Sequence, residues 1–105
     1  MGCGGRARGP VWRHAGPDAP RGVPRGAVLV CATLLPAWTF VLPQLAAVVA
    51  EEGGALAHGA ILAREYGVPA VFGVRGALAR LRAGDEVVVD GAAGRVWPAP
   101  GARAR

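Results

Sequence analysis

The sequence predicts an α/β domain. Short Val-rich apolar runs recur along the chain, segments of helical spacing stand between some of them, and Gly- and Pro-rich turns punctuate the series. In order, residues 5–12 read as an edge strand whose pattern Arg8 and Pro10 interrupt. Residues 15–26 hold three Pro and three Gly and read as a surface loop. Residues 27–32 form a buried strand, 37–44 a short helix with Pro near its start, and 46–50 a second buried strand. A turn follows at 51–54. From 55 to 66 the spacing turns helical: Leu56, Ala60, Ala63 and Gly67 share one face. Gly67 is placed to cap that helix, and Pro69 stops it. Residues 68–72 make a strand, and 75–82 a short amphipathic helix presenting Leu78 and Leu81. After a turn at Gly84 and Asp85, a strand over 86–90 pairs with 94–97 as a hairpin. The segments 46–50, 55–66 and 68–72 together make a strand–helix–strand unit.

Size and composition limit what this domain does. With 105 residues and 10.6 kDa, the chain has room for one modest core. It cannot hold a nucleotide-binding domain and a substrate domain together. No Lys, Ser or Asn occurs. That excludes a Ser-based triad, a lysine Schiff base and a Lys-dependent phosphate loop. Cys3, Cys31, His14 and His58 show no metal-ligand spacing, so no metal site is expected. Two cysteines give no disulfide framework, and a reducing cytoplasm suits them.

The formal charge is +5, and all 12 basic residues are Arg. They gather toward both ends and leave a mildly acidic centre. No aromatic residues interleave with a dense Arg cluster, so no nucleic-acid partner is expected. Residues 27–50 carry no charge and are numerous enough to span a bilayer. Pro36 and Pro43 interrupt that run, and strand, helix, strand describes it better than one membrane helix.

Chemistry concentrates around His58. A strand ends near residue 50, Gly53 and Gly54 turn the chain, and a helix begins near His58. The first turn of a helix exposes unpaired N–H groups at the positive end of its dipole, a setting that favours anions. Glycines there let a phosphate approach the backbone. An imidazole at that point can serve as base or nucleophile near neutral pH. Read this way, His58 is a candidate phosphoryl acceptor, and Gly53, Gly54 and Gly59 are candidates for stabilising the phosphoryl group. Arg64 and Glu65 read first as a solvated helix face and second as orienting or interface residues.

The stretch 53–71, GGALAHGAILAREYGVPAV, resembles the phosphohistidine signature of the PEP-utilising enzyme mobile domain. That family includes domains of PEP synthase, pyruvate phosphate dikinase, Enzyme I of the sugar phosphotransferase system and rifampicin phosphotransferase. GAVLV at 26–30, PAWT at 36–39, LRAGDEVVVDG at 81–91 and GRARGPV at 5–11 resemble further family segments. The resemblance covers residues 5–97, leaving 1–4 as a short lead and 98–105 as a flexible tail. It implies a three-layer β/β/α swivelling fold, with His58 at the position of the phosphorylated histidine. It also implies a phosphoryl carrier without a cofactor of its own. An ATP-grasp partner would load it using ATP and magnesium, or PEP would serve as donor, and an acceptor-binding domain would receive the group for pyruvate or another acceptor. Where the family often has hydroxyl-bearing residues, this sequence has Leu34, Ala50 and Ala57. These replacements leave a second expectation open, a non-catalytic interaction module of the same fold.

Overall fold

The computed structural model describes residues 2–3, 5–16, 18, 20–34, 38, 40–52 and 58–99. Among them are strands β1 (Gly2–Cys3), β2 (Arg6–His14), β3 (Val28–Cys31), β4 (Ala47–Ala50), β5 (Ala70–Phe72), β6 (Glu86–Asp90) and β7 (Arg95–Pro98). Helix α1 (His58–Tyr66) joins β4 to β5, and the short α2 (Ala77–Arg80) follows β5. The strands form one curled sheet in the order β1-β5-β4-β3-β2-β6-β7. Strands β2, β3, β4 and β5 run parallel to one another, while β1, β6 and β7 are antiparallel additions.

Alternation along the parallel strands creates the layers. Leu29, Cys31, Val48, Ala50, Ala70 and Phe72 face one way, into a core closed by Ala63 of α1, Trp38, Val41 and Leu42. Val28, Val30, Ala47, Val49 and Val71 face the other way, onto Val87 and Val89 of β6 and Ala77 of α2. Strands with both faces covered read as continuous apolar runs, which is the pattern of β3 and β4. The result is a helical layer, a parallel sheet and an antiparallel layer, the three-layer β/β/α arrangement expected.

Strand β2 is central in the strand order, yet each of its halves keeps the one-sided pairing of an edge strand that its sequence suggests. Its first half pairs with β6 through Pro10 opposite Glu86, and its second half pairs with β3 from Val11 onward. Pro10 therefore falls at the switch between partners, where its missing N–H removes little from either ladder. The expected helix over 37–44 is replaced, among the described residues, by a 3-10 turn at Leu42–Gln44. Pro43 cannot donate to the carbonyl four residues back, and the chain closes instead with Gln44 N–H to Val41 O at 3.2 Å and Leu45 N–H to Leu42 O at 3.1 Å. Residues 27–50 thus hold two strands and this turn, and no helix among the described residues is long and apolar enough to cross a membrane.

Helix α1 ends as its sequence indicates. Gly67 adopts a φ of 69°. Its N–H bonds Arg64 O at 3.2 Å, and Val68 N–H bonds Ala63 O at 2.9 Å, the paired bonds of a Schellman cap. Buried Val68 then joins Ala63 in the core. A Cβ at Gly67 would meet nothing within 4 Å, so its cost is purely conformational. Gly67→Ala is expected to lower stability by about 1 kcal/mol, measured as a shift in the urea midpoint with an unchanged slope.

The β6–β7 hairpin is fastened by Asp90. Its carboxylate accepts the Ala93 N–H at 3.0 Å and the Arg6 guanidinium at 3.0 Å, while Arg6 also lies over the Trp97 ring at 5.4 Å. The Ala93 N–H first, then Arg6, hold the Asp90 carboxyl below the usual carboxylate range. A lowered folded pKa contributes stability above the unfolded value of about 3.9 that is lost as pH falls through the folded value. The Tm gap between wild type and Asp90→Asn is therefore expected to be full at pH 7 and to close below about pH 4. Parallel Tm curves across that range would refute this.

Candidate functional site

The four parallel strands end in line. His14 is opposite Cys31, Cys31 opposite Ala50, and Ala50 opposite Phe72. The carboxyl ends of parallel strands are where α/β folds gather ligands, because the connecting loops converge there. Here the loops are stitched together beyond the strands. Glu51 N–H bonds Cys31 O at 3.0 Å, Glu52 N–H bonds Ala32 O at 2.8 Å, and Gly73 N–H bonds Glu52 O at 3.3 Å. The Thr33 hydroxyl donates to the Glu52 carboxylate at 2.8 Å. The Glu51 carboxylate accepts the Leu78 N–H at 2.9 Å, where α2 begins. Charge-assisted bonds of this kind hold a short loop firmly. Glu52 thus joins the loops after β3 and β5 at the point from which the chain departs toward α1.

His58 is the first residue of α1 and Gly59 the second. The opening N–H groups of that helix have no carbonyl four residues earlier within it. They lie after the carboxyl end of β4, in the connection to its parallel neighbour β5. Gly53 and Gly54 lie outside the described residues. Arg64 and Glu65 are both exposed on α1. At 1.5 Å per residue their backbone positions stand roughly 9 and 10 Å along the helix from that of His58.

Of the neighbouring groups, Cys31 is excluded as a nucleophile. Burial, and secondarily the charge of Glu51, pushes its thiol up to about 12, so it stays protonated at neutral pH. Among the described residues no group of His, Cys, Asp or Glu is gathered to hold a metal. Leu34 and Ala50 are packed into the core on the helical side. The Thr33–Glu52 and Glu51–Leu78 bonds have no counterpart in the sequence reading. They join residues 19 and 27 positions apart, and no local pattern signals such pairs.

With this geometry in place, comparison with known proteins is informative. A family model described as "PEP-utilising enzyme, mobile domain" matches residues 23–94. The "Uncharacterized phosphotransferase YvkC" of Bacillus subtilis is 49% identical over 71 residues, covering 68% of this chain and 8% of that protein. The phosphoenolpyruvate synthase of Aeropyrum pernix is 41% identical over 80 residues, covering 76% of this chain and 10% of that protein. The chain therefore spans a tenth or less of the length of these curated relatives. A solution structure of Enzyme I superposes with a TM-score of 0.65 at 31% identity, covering 75% of this chain and 33% of that one. The signature around His58, the layered fold and these matches agree: the chain belongs to the family of PEP-utilising enzyme mobile domains.

Proposed function

We propose that this chain is a phosphoryl carrier, with His58 as the residue that bears the phosphoryl group. The observation that carries the reading is the position of His58. It opens a helix after the carboxyl end of a central parallel strand, within a family that includes relatives named as phosphotransferases. A ring nitrogen of His58 attacks phosphorus as the bond from phosphorus to the donor's leaving oxygen breaks, and a P–N bond replaces a P–O bond. The first-turn N–H groups of α1, together with Gly53, Gly54 and Gly59, stabilise the anionic phosphoryl oxygens. Transfer to the acceptor reverses the bonding change. Arg64 and Glu65 serve to orient the group or to contact a partner.

The carrier needs other domains for turnover. The relatives are about ten times longer than the matched segment, which supports partner domains; by the family resemblance these are an ATP-grasp domain with ATP and magnesium as donor site and a separate acceptor domain, with pyruvate as one acceptor. The name of the Aeropyrum pernix relative keeps PEP as the alternative donor. The free, buried thiol of Cys31 suits a cytoplasmic setting. The test is intact-mass and peptide analysis of the chain incubated with an ATP-grasp partner and ATP–magnesium, or with a PEP donor, kept at neutral or alkaline pH. An acid-labile phosphoryl increment on the His58 peptide is expected. Its absence with both donors would refute the reading.

One observation favours a second reading, a non-catalytic module of the same fold. Leu34 and Ala50, at positions where hydroxyls were expected, are consumed in core packing. Ala57→Ser separates the two without disturbing those core positions. Labelling gained only in that variant would mark the native chain as inactive.

A further inference from the structure

A concavity lies at the carboxyl end of β2, the end of the sheet from which the connection to α1 departs. Beyond Pro10, β2 has β3 on one side and, among the described residues, no strand on the other. Trp12, Arg13, His14, Asp18 and Arg21 line an open cleft of about 560 Å³ there. That volume is in the range of sites for small organic ligands. Trp12 is half-buried, packed against the core, and offers a fixed aromatic wall. His14 is committed elsewhere: its ring meets Trp38 edge-on at 5.3 Å, and its Nε2 lies against the Asp18 carbonyl oxygen, fixing the loop beside the cleft. Arg13 and Arg21 are exposed, and among the described residues neither is paired with a carboxylate. The ion pairs that do form engage Arg6 and Arg8.

We propose that this cleft is a binding site for a small organic anion with a planar ring, an aryl or heteroaryl phosphate or carboxylate. The ring stacks on Trp12, and the anion is held by the Arg21 guanidinium and by Arg13, which leaves β2 on the opposite face and reaches the site around the unpaired strand edge; their planar forks match phosphate and carboxylate oxygens. Asp18 is the one acidic group on the wall and opposes the anion. The site is independent of the carrier role of His58. Neighbouring strands are about 4.8 Å apart, which sets the ends of β2 and β4 roughly 10 Å from each other. A bound anion would therefore flank the departure point of the α1 connection.

The test uses the whole chain, with phenyl phosphate as probe and no phosphoryl donor, so its outcome does not depend on phosphorylation of His58. Binding is read from the indole N–H cross-peak of Trp12, assigned through Trp12→Phe. Saturable binding with a Kd of about 1 mM is expected for a ligand of this size. Inorganic phosphate should bind about tenfold more weakly. Arg13→Gln and Arg21→Gln should each weaken phenyl phosphate about tenfold, and Asp18→Asn should tighten it severalfold. Both arginines are exposed, and retained cross-peak dispersion confirms the fold of each variant. Failure of the Trp12 peak to saturate, equal affinity for inorganic phosphate, or arginine variants that bind like wild type would each overturn the proposal.

Discussion

Gly9→Ala is expected to lower the melting temperature by roughly 10–20 °C, from a cost of about 3 kcal/mol in a domain of this size. Gly9 is buried in β2, one residue before the Pro10 switch. A Cβ there would overlap the Gly26 carbonyl oxygen and crowd the Ala46 Cβ at 3.4 Å. That carbonyl belongs to a fixed turn. Gly26 donates its N–H to Gln44 O at 2.8 Å and has a φ of 81°, while Ala46 N–H bonds Ala27 O at 2.8 Å. Moving the carbonyl away would disturb the entry to both β3 and β4, the two central strands. The clash is with backbone, so no rotamer change relieves it. Gly16→Ala is the matched control, because a Cβ there meets nothing within 4 Å. Thermal melts of both variants, followed by far-UV circular dichroism, check the expectation. A Gly9→Ala loss no larger than that of Gly16→Ala would show that the crowded contact relaxes at little cost.

This crowding also marks where sequence reading stops. The apolar runs of β3 and β4, the cap at Gly67 and the β6–β7 hairpin are local features, and local pattern located each within a few residues. The central place of β2 in the strand order was not legible. Arg8 and Pro10 are edge-strand residues by type and sit in a half of β2 paired on one side only, and the change of partner at Pro10 carries the strand on into the parallel sheet. Of the short helix expected over 37–44, the described residues show a 3-10 turn at Leu42–Gln44, because Pro43 lacks the donor that an α-helix would use there. At the candidate site, the helix start near His58 was legible in one short window, while Gly53 and Gly54 lie outside the described residues. The Thr33–Glu52 and Glu51–Leu78 bonds that steady the neighbouring loops were not, since each is made only when distant strands come together. Nor was the cleft formed by Trp12, Arg13 and Arg21, where the loop after β2 returns over its own strand.

His58→Ala is expected to reduce phosphoryl incorporation by roughly 10³-fold or more, to the limit of detection, while leaving the fold intact. Loss of a nucleophile removes the bond-forming atom, and no neighbouring group can replace it. Cys31 stays a protonated, buried thiol, with its pKa pushed up to about 12. The chain has two histidines. His14, the other one, has Nε2 engaged with the Asp18 carbonyl and its ring set against Trp38. Stability should change by no more than about 0.5 kcal/mol, because Ala is the better helix former at the start of α1. This pairing of lost labelling with retained stability separates chemistry from unfolding. His58→Gln sharpens the test: it keeps a polar side chain of similar reach but presents no nucleophilic ring nitrogen, so it should fail as completely as Ala. The measurement is acid-labile incorporation from a competent donor, mapped by peptide mass at alkaline pH. Label persisting in both variants, or mapping to the His14 peptide, would move the carrier role away from the start of α1.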